Sequence, residues 1–297
     1  MDTMFGFNRK NAVVKAIEGS LKPSADHPSL LFFTVHKAAS SFASRLLLKI
    51  SKAKSISFID FDGYYLEHPA DEADELLKSA LKGRELPSTR GQHKLFEKWF
   101  LARGCAYAPL RHPQLHRALP HLDQFRVILM TRDPRDCLTS LYFSVAYSHA
   151  EPDNPIVLEE FRRRRDLVRE MEIDRFVIEK AACDWVPNFR QLCALLKEKP
   201  DVRLVRYEEM VADFPAWLDQ ILDFWGLSIN RRTRRKIISL ADFDVTAEDV
   251  HSHKRQVQPG DHLRKLKPET IEQLNEMFGE TLTTLGYSSE RLGCEAA

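Results

Sequence analysis

The stretch from Leu30 to Phe42, LLFFTVHKAASSF, decides how the rest of the chain is read. Residues 30–35 are apolar without alternation, the pattern of a strand buried on both faces. Residues 40–52 then place Phe42, Leu46, Leu47 and Ile50 on one side of a helix. A loop that joins a buried strand to a helix start points several backbone N–H groups, and the positive end of the helix dipole, at one spot. Lys37 adds a full charge there, and Ser40 and Ser41 add hydroxyl donors. Ala38 and Ala39 are small enough for an oxyanion to reach the backbone. The competing reading is a Ser40 that only caps the helix beside a solvated Lys37. The nucleotide loop GxxxxGK[ST] is absent, since no glycine lies between His36 and Phe42.

Working outward, residues 126–131 (RVILMT) form a second buried run, and 55–61, 105–110 and 202–206 read as further strands. Helical patterns occupy 134–150, a stretch from Phe161, 174–199, the region up to Leu240, and a last helix from Pro268. An acidic amphipathic helix is expected over 69–82, and a loop over 243–267. Strands alternating with helices imply α/β architecture, with a central, mostly parallel sheet flanked by helices. No Gly/Ser linker or repeat interrupts the pattern. The organisation expected is an irregular lead-in over 1–29 and one α/β domain with helical elaboration over 30–297.

Bulk properties narrow the function. The 297 residues are 43% hydrophobic and 29% charged with a net charge of +1, so an anion site must come from local clustering. Nucleic-acid binding is not indicated. The run Arg162–Arg165 is followed by Asp166, Glu170 and Glu172, and reads as a solvated helix face with i,i+4 pairs. Trp185, Phe189, Leu192 and Leu196, and likewise Trp217 to Trp225, read as core. Five cysteines without CxxC spacing (Cys105, Cys137, Cys183, Cys193, Cys294) fit a reducing compartment. No signal-like apolar segment and no run of about eighteen apolar residues occurs, so a cytoplasmic protein without stable membrane insertion is expected. No metal-ligand spacing is visible.

The second buried run exits into TRDPRDCLTSLYFS, residues 131–144. Asp133 suits a helix cap and Pro134 the first helical position. Arg132 at the strand end and Ser140 two turns into the helix can then grip one phosphate. The bland alternative is a surface cluster of Arg132, Asp133, Arg135 and Asp136 contributing little energy.

Together these motifs resemble those of the sulfotransferases that use 3′-phosphoadenosine-5′-phosphosulfate (PAPS). HKAASSF resembles their 5′-phosphosulfate loop PKSGTTW, with Lys37 on the lysine, Ser40 and Ser41 on the threonines and Phe42 on the aromatic. RDPRDCLTS resembles their 3′-phosphate motif through Arg132 and Ser140. Tyr207-Glu208-Glu209-Met210 is similar to the YEDL segment, and residues 254–262 (KRQVQPGDH) to the RKGxxGDW loop. This chain departs from the pattern at Ala39 (Gly), Phe42 (Trp), Gln256, Val257 and His262 (Trp).

The resemblance implies a P-loop-NTPase-like topology and sulfuryl transfer from PAPS to a hydroxyl or amine, with PAP (3′-phosphoadenosine-5′-phosphate) released and no metal. Lys37 would be catalytic. His36 to Phe42 (with Ala38, Ala39, Ser40 and Ser41), Arg132, Ser140, Tyr207, Lys254, Arg255 and Gly260 would bind the nucleotide, with Phe243 a weaker aromatic candidate. The family's histidine base, in a KTHLP-like segment, falls closest to His112, with His116 in reserve and Asp62 or Glu67 as carboxylate alternatives. The acceptor would be a small molecule or glycan, and homo-oligomer formation is open. Competing readings are a non-catalytic PAP-binding module and a kinase with a degenerate P-loop.

Overall fold

The computed structural model describes residues 27–60, 100–117, 119, 121–152, 155–241, 243, 245, 248–252 and 255–288. The expected helix over 69–82, the bulk of the lead-in, and Asp62, Glu67, Lys254 and Cys294 lie outside the described residues.

Strands β1 (Leu30–Thr34), β2 (Ser57–Ile59), β3 (Cys105–Leu110), β4 (Arg126–Thr131) and β5 (Arg203–Arg206) make one sheet in the order β2-β3-β1-β4-β5. β1 runs parallel to both β3 and β4, and β2 runs parallel to β3. The fold class is therefore the expected α/β, and the uninterrupted apolar run explains the central position of β1. All five of its residues are buried, as a strand covered on both faces requires. Thr34 lies opposite Met130, so β1 and β4 end on the same edge of the sheet. The chain leaving β1 next returns on one side of it at β2, and the chain leaving β4 returns on the other side at β5. Such a divergence is the switch point at which open α/β sheets place their ligands.

Helix α1 (Ser40–Ala53) buries Ala43, Leu46, Leu47 and Ile50 and keeps Arg45, Lys49 and Lys52 outside. It ends in a turn whose Ser55 has φ 53°, and this left-handed residue delays the second strand to Ser57. Helix α2 (Pro134–Phe143) is shorter than the expected 134–150, because the backbone widens into a π-turn over Ser144–Ser148. α3 (Pro155–Glu170) follows. The single helix expected over 174–199 is three pieces, α4 (Ile173–Lys180), a π-turn at Ala181–Trp185, and α5 (Val186–Glu198). After β5 come α6 (Tyr207–Ala212), α7 (Phe214–Trp225) and α8 (Arg231–Ile238). The expected 243–267 loop contains a short helix, α9 (Asp261–Lys265), entered through Gly260 at φ 78°, which glycine adopts without strain. α10 (Pro268–Phe278) and α11 (Glu280–Leu285) divide at Gly279.

The chain gathers into two compact units, one from the part up to Met130 with Ala194–Ala241, the other from Thr131–Cys193 with the part from 242 on. In the first, α7 presents Trp217, Leu218, Ile221, Leu222 and Trp225 to the interior, all buried. Trp225 satisfies its ring N–H on the Pro28 carbonyl at 2.9 Å. In the second, Phe189 lies between Trp185 and Phe278 at centroid distances of 5.9 and 5.7 Å. The core reading of these aromatics therefore holds. The partners expected for Arg162–Arg165 do not. Arg162 pairs with Glu151 and Arg163 with Glu160. Arg165 sits over the Phe161 ring at 4.5 Å and donates to the Val145 and His149 carbonyls. Arg162 and Arg165 thus tie α3 to the segment before it, Arg163 pairs within α3, and residues 162–164 lie on an exposed helix face.

Candidate active site

The loop after β1 is built around two residues in left-handed conformation, Lys37 at φ 67° and Ala39 at φ 57°. They turn the backbone so sharply that α1 begins at Ser40 with Ala39 at its N-cap, where no side chain caps the helix. The first amides of α1 therefore lack the side-chain acceptor that a Ser or Asp cap provides, as an anion-binding helix start requires. Lys37 is half-buried, Ala38 fully buried, and His36 and Ser41 exposed. Ser40 is not the cap of the competing reading. Its Oγ accepts two N–H bonds from Arg111, from Nε at 3.2 Å and from Nη2 at 3.0 Å. Phe42 meets Phe214 edge to face with centroids 5.5 Å apart, so part of its ring surface is committed to α7. An L-residue in the left-handed region costs about 1 kcal/mol or more relative to glycine. Ala39→Gly is therefore expected to stabilise the protein by roughly 0.5–1 kcal/mol, read as a raised denaturation midpoint; an unchanged or lowered midpoint would show that this backbone is not strained.

The histidines after β3 separate by their partners. His116 is buried, and both its ring nitrogens are engaged, Nδ1 with the Pro113 carbonyl at 2.5 Å and Nε2 with Glu198 at 3.0 Å. A base needs a nitrogen open to its substrate, and His116 offers none. It ties the 3₁₀ turn Pro113–Arg117 to the end of α5. Arg117 joins the same carboxylate at 2.7 Å, and these hydrogen bonds, from Arg117 first and His116 second, hold Glu198 down at about 2. His112 is half-buried two residues beyond the end of β3.

At the end of β4 the expected cap geometry is present. Asp133 accepts from the Arg135 N–H at 2.9 Å, and Pro134 opens α2. The surface-cluster alternative is overturned, because Arg132, Asp133, Arg135 and Asp136 are all buried, the last completely. Arg135 grips Asp133 with Nε and Nη2 and reaches Asn275 and the Ser288 carbonyl. Asp136 accepts from the Gly260 N–H at 2.8 Å, the His262 N–H at 2.9 Å and His262 Nδ1 at 2.6 Å, with Arg132 Nη2 at 3.6 Å. Burial alone would push this carboxyl up; the His262 bonds and the Arg132 charge outweigh it and hold Asp136 far below the carboxylate range. One carboxylate thus fastens the C-terminal loop to the helix that carries Ser140.

Arg255 lies in that loop, buried, with its guanidinium 4.0 Å from the Phe143 ring centroid. It donates to both Glu248 and Asp261, and Lys265 also reaches Glu248, at 2.7 Å. Its fork is thus turned to carboxylates within its own loop. Gly260 spends its N–H on Asp136. Arg132, Ser140, Arg255 and Gly260 all belong to the second unit, around α2, whereas Lys37, Ser40, Ser41, Phe42, His112 and Tyr207 belong to the first. Tyr207, buried, opens α6 directly after β5.

The sequence reading gave no role to Arg111 and placed Asp136 only in the surface-cluster alternative. Arg111 follows β3 as His36-Lys37 follow the run of β1 and Arg132 follows β4, so all three central strands hand over to a cation at the same end. That repetition was available as a signal. Asp136 gave none, since its burial depends on a loop more than a hundred residues away.

Residues 110–286 match the family described as the sulfotransferase domain, more than half of the chain, with the Lys37 loop outside the matched range. No curated protein sequence matches the chain. Among solved structures, the mouse sulfotransferase SULT7A1 complexed with PAP is similar at a TM-score of 0.53, with 16% identity over 91% of this chain and 89% of that one. The sulfotransferase STF9 from Mycobacterium avium gives 0.49, with 13% identity over 93% of this chain and 82% of that one. An Arabidopsis thaliana putative steroid sulphotransferase gives 0.46, with 13% identity over 94% and 84%. The first of these supports the fold. Among the described residues, no group of His, Cys, Asp and Glu is placed to hold a metal, and no helix is long and apolar enough to cross a membrane.

Proposed function

The chain belongs to the sulfotransferase family, and from that premise we propose that it transfers the sulfuryl group of PAPS to a hydroxyl or amine of a small-molecule or glycan acceptor by in-line displacement. Bound PAPS would supply the sulfuryl group and depart as PAP. The donor set suits such a polyanion: a lysine, two serine hydroxyls and an uncapped helix start after β1, and an arginine followed by a serine after β4.

Lys37 neutralises the charge that develops on the leaving oxygen, and the α1 amides with Ser40 and Ser41 hold the flanking oxygens. Arg132 and Ser140 anchor the 3′-phosphate, and that binding energy orients the reacting end. Arg255 and Gly260, given their partners, act here by shaping the C-terminal loop beside α2; they are not direct phosphate donors in this reading. Of the two histidines, His112 accepts the acceptor's proton, since both ring nitrogens of His116 are engaged; Asp62 and Glu67, the carboxylate alternatives, lie outside the described residues.

The observation that carries the reading is the β1–β4 pairing, which ends two neighbouring parallel strands at the same edge, each followed by a cationic loop and a helix. Incubation with PAPS and a panel of phenols, alcohols, amines and sugars, read by mass spectrometry, tests it. Sulfated product is expected, together with protection by PAP against thermal unfolding. PAP protection without product from any acceptor would favour the non-catalytic module, and neither signal would sink both.

A further inference from the structure

Arg111 approaches Ser40 in an unusual way: two N–H groups of one guanidinium end on a single hydroxyl oxygen, at 3.2 and 3.0 Å. A serine hydroxyl has two acceptor lone pairs and one proton. Two incoming N–H bonds use both lone pairs, so the only hydrogen-bonding capacity left to Ser40 is donation. A serine within a helix can spend that proton on the carbonyl of the preceding turn. Ser40 is the first residue of α1, so no helical turn precedes it. It is also nearly buried, at 8% exposure, which leaves little room for water to take the proton.

We infer that Arg111 is a positioning residue, which fixes the Ser40 hydroxyl as an obligate donor toward an oxyanion held in the Lys37 loop. Without Arg111 the hydroxyl rotor is free to act as donor or acceptor, and part of its population presents a lone pair to the anion. With it, the rotor is set before the anion arrives, so no ordering cost falls on binding. The guanidinium also adds positive charge behind the hydroxyl, which strengthens its donation. The contact is not needed to pair β1 with β3, since Leu30, Leu31 and Phe33 already register with Ala106, Tyr107 and Leu110 across a break between Leu31 and Phe33. The inference rests on the reading of the Lys37 loop as the phosphosulfate site, and it goes beyond that reading by assigning a residue that the loop motif does not contain.

The test is a double-mutant cycle on the full chain with Arg111→Met, Ser40→Ala and the pair. It is read as PAP affinity by calorimetry and as kcat with any acceptor that the wild type sulfates. A charge-assisted bond to the anion is worth roughly tenfold or more in affinity. Each single variant is therefore expected to weaken PAP by about that factor, and the double variant to be no weaker than Ser40→Ala alone. Arg111→Lys, which keeps the charge but replaces the two-nitrogen fork by a single ammonium nitrogen, should recover part of the loss. Effects that simply multiply in the double variant, or an Arg111→Met protein that binds PAP as wild type does, would overturn the inference. An Arg111→Met variant that unfolds while Arg111→Lys binds and melts like Ser40→Ala would also overturn it, by making the contact structural. A wild type that binds no PAP would instead sink the phosphosulfate-loop reading, a result distinct from an additive cycle in a protein that binds.

Discussion

Lys37→Ala is expected to lower kcat by roughly 10²–10³-fold and to leave the melting temperature almost unchanged. The size follows from the role proposed for the lysine. Charge grows on the oxygen between sulfur and the 5′-phosphate as their bond lengthens, so the contact is stronger in the transition state than in the ground state. Removing such a contact lowers kcat more than it raises KM. Stability should not follow, because the side chain is only half-buried and alanine meets the same left-handed backbone at φ 67° that lysine already tolerates. Steady-state kinetics beside a thermal melt checks both halves. A variant that keeps more than about a tenth of the wild-type kcat would remove Lys37 from the chemistry.

Asp136→Ala is expected to be the most damaging single change to stability. The carboxylate is fully buried and takes three hydrogen bonds from Gly260 and His262, with Arg132 nearby. Removing one member of such a buried group leaves the others desolvated and unpaired, at a cost of about 3–5 kcal/mol. For a chain of this size that corresponds to a fall in melting temperature on the order of 10 °C. The effect should also depend on pH with a defined sign. The folded carboxyl lies below its unfolded value, so its contribution is complete above about pH 4 and fades as pH falls further. The gap between wild type and variant is therefore expected to be constant from neutral pH to about 5, and to narrow below 4. A gap that widens in acid would mean that the group is stabilised in its protonated form.

The sheet was legible because its central strands are buried on both faces. LLFFT and RVILMT carry no alternation to confuse them with amphipathic elements, and both strands lie where the sequence placed them. The loops after β1 and β4 stood out as candidates for a related reason: polar and cationic residues directly after such strands have few structural uses. Helix continuity was harder. Apolar spacing persists through the π-turns at 144–148 and 181–185, so one helix was expected where the backbone widens. The acidic and basic residues between Arg132 and Asp136 were ambiguous because their energy depends on burial, and burial depends on Gly260, His262 and Asn275 arriving from far along the chain. The same holds for Arg255, which reads as a lone cation in the sequence, whereas Glu248 and Asp261 both accept from it in the structure.

One binding comparison bears most directly on the assignment of two separate grips to one nucleotide. Calorimetric affinities of wild type and Arg132→Ala would be measured for PAP and for adenosine 5′-phosphosulfate, which has the phosphosulfate end and lacks the 3′-phosphate. Arg132→Ala is predicted to weaken PAP by roughly 10–100-fold and to leave adenosine 5′-phosphosulfate within about threefold, the latter also showing that the variant is folded. Equal weakening of both ligands, or of neither, would contradict the account.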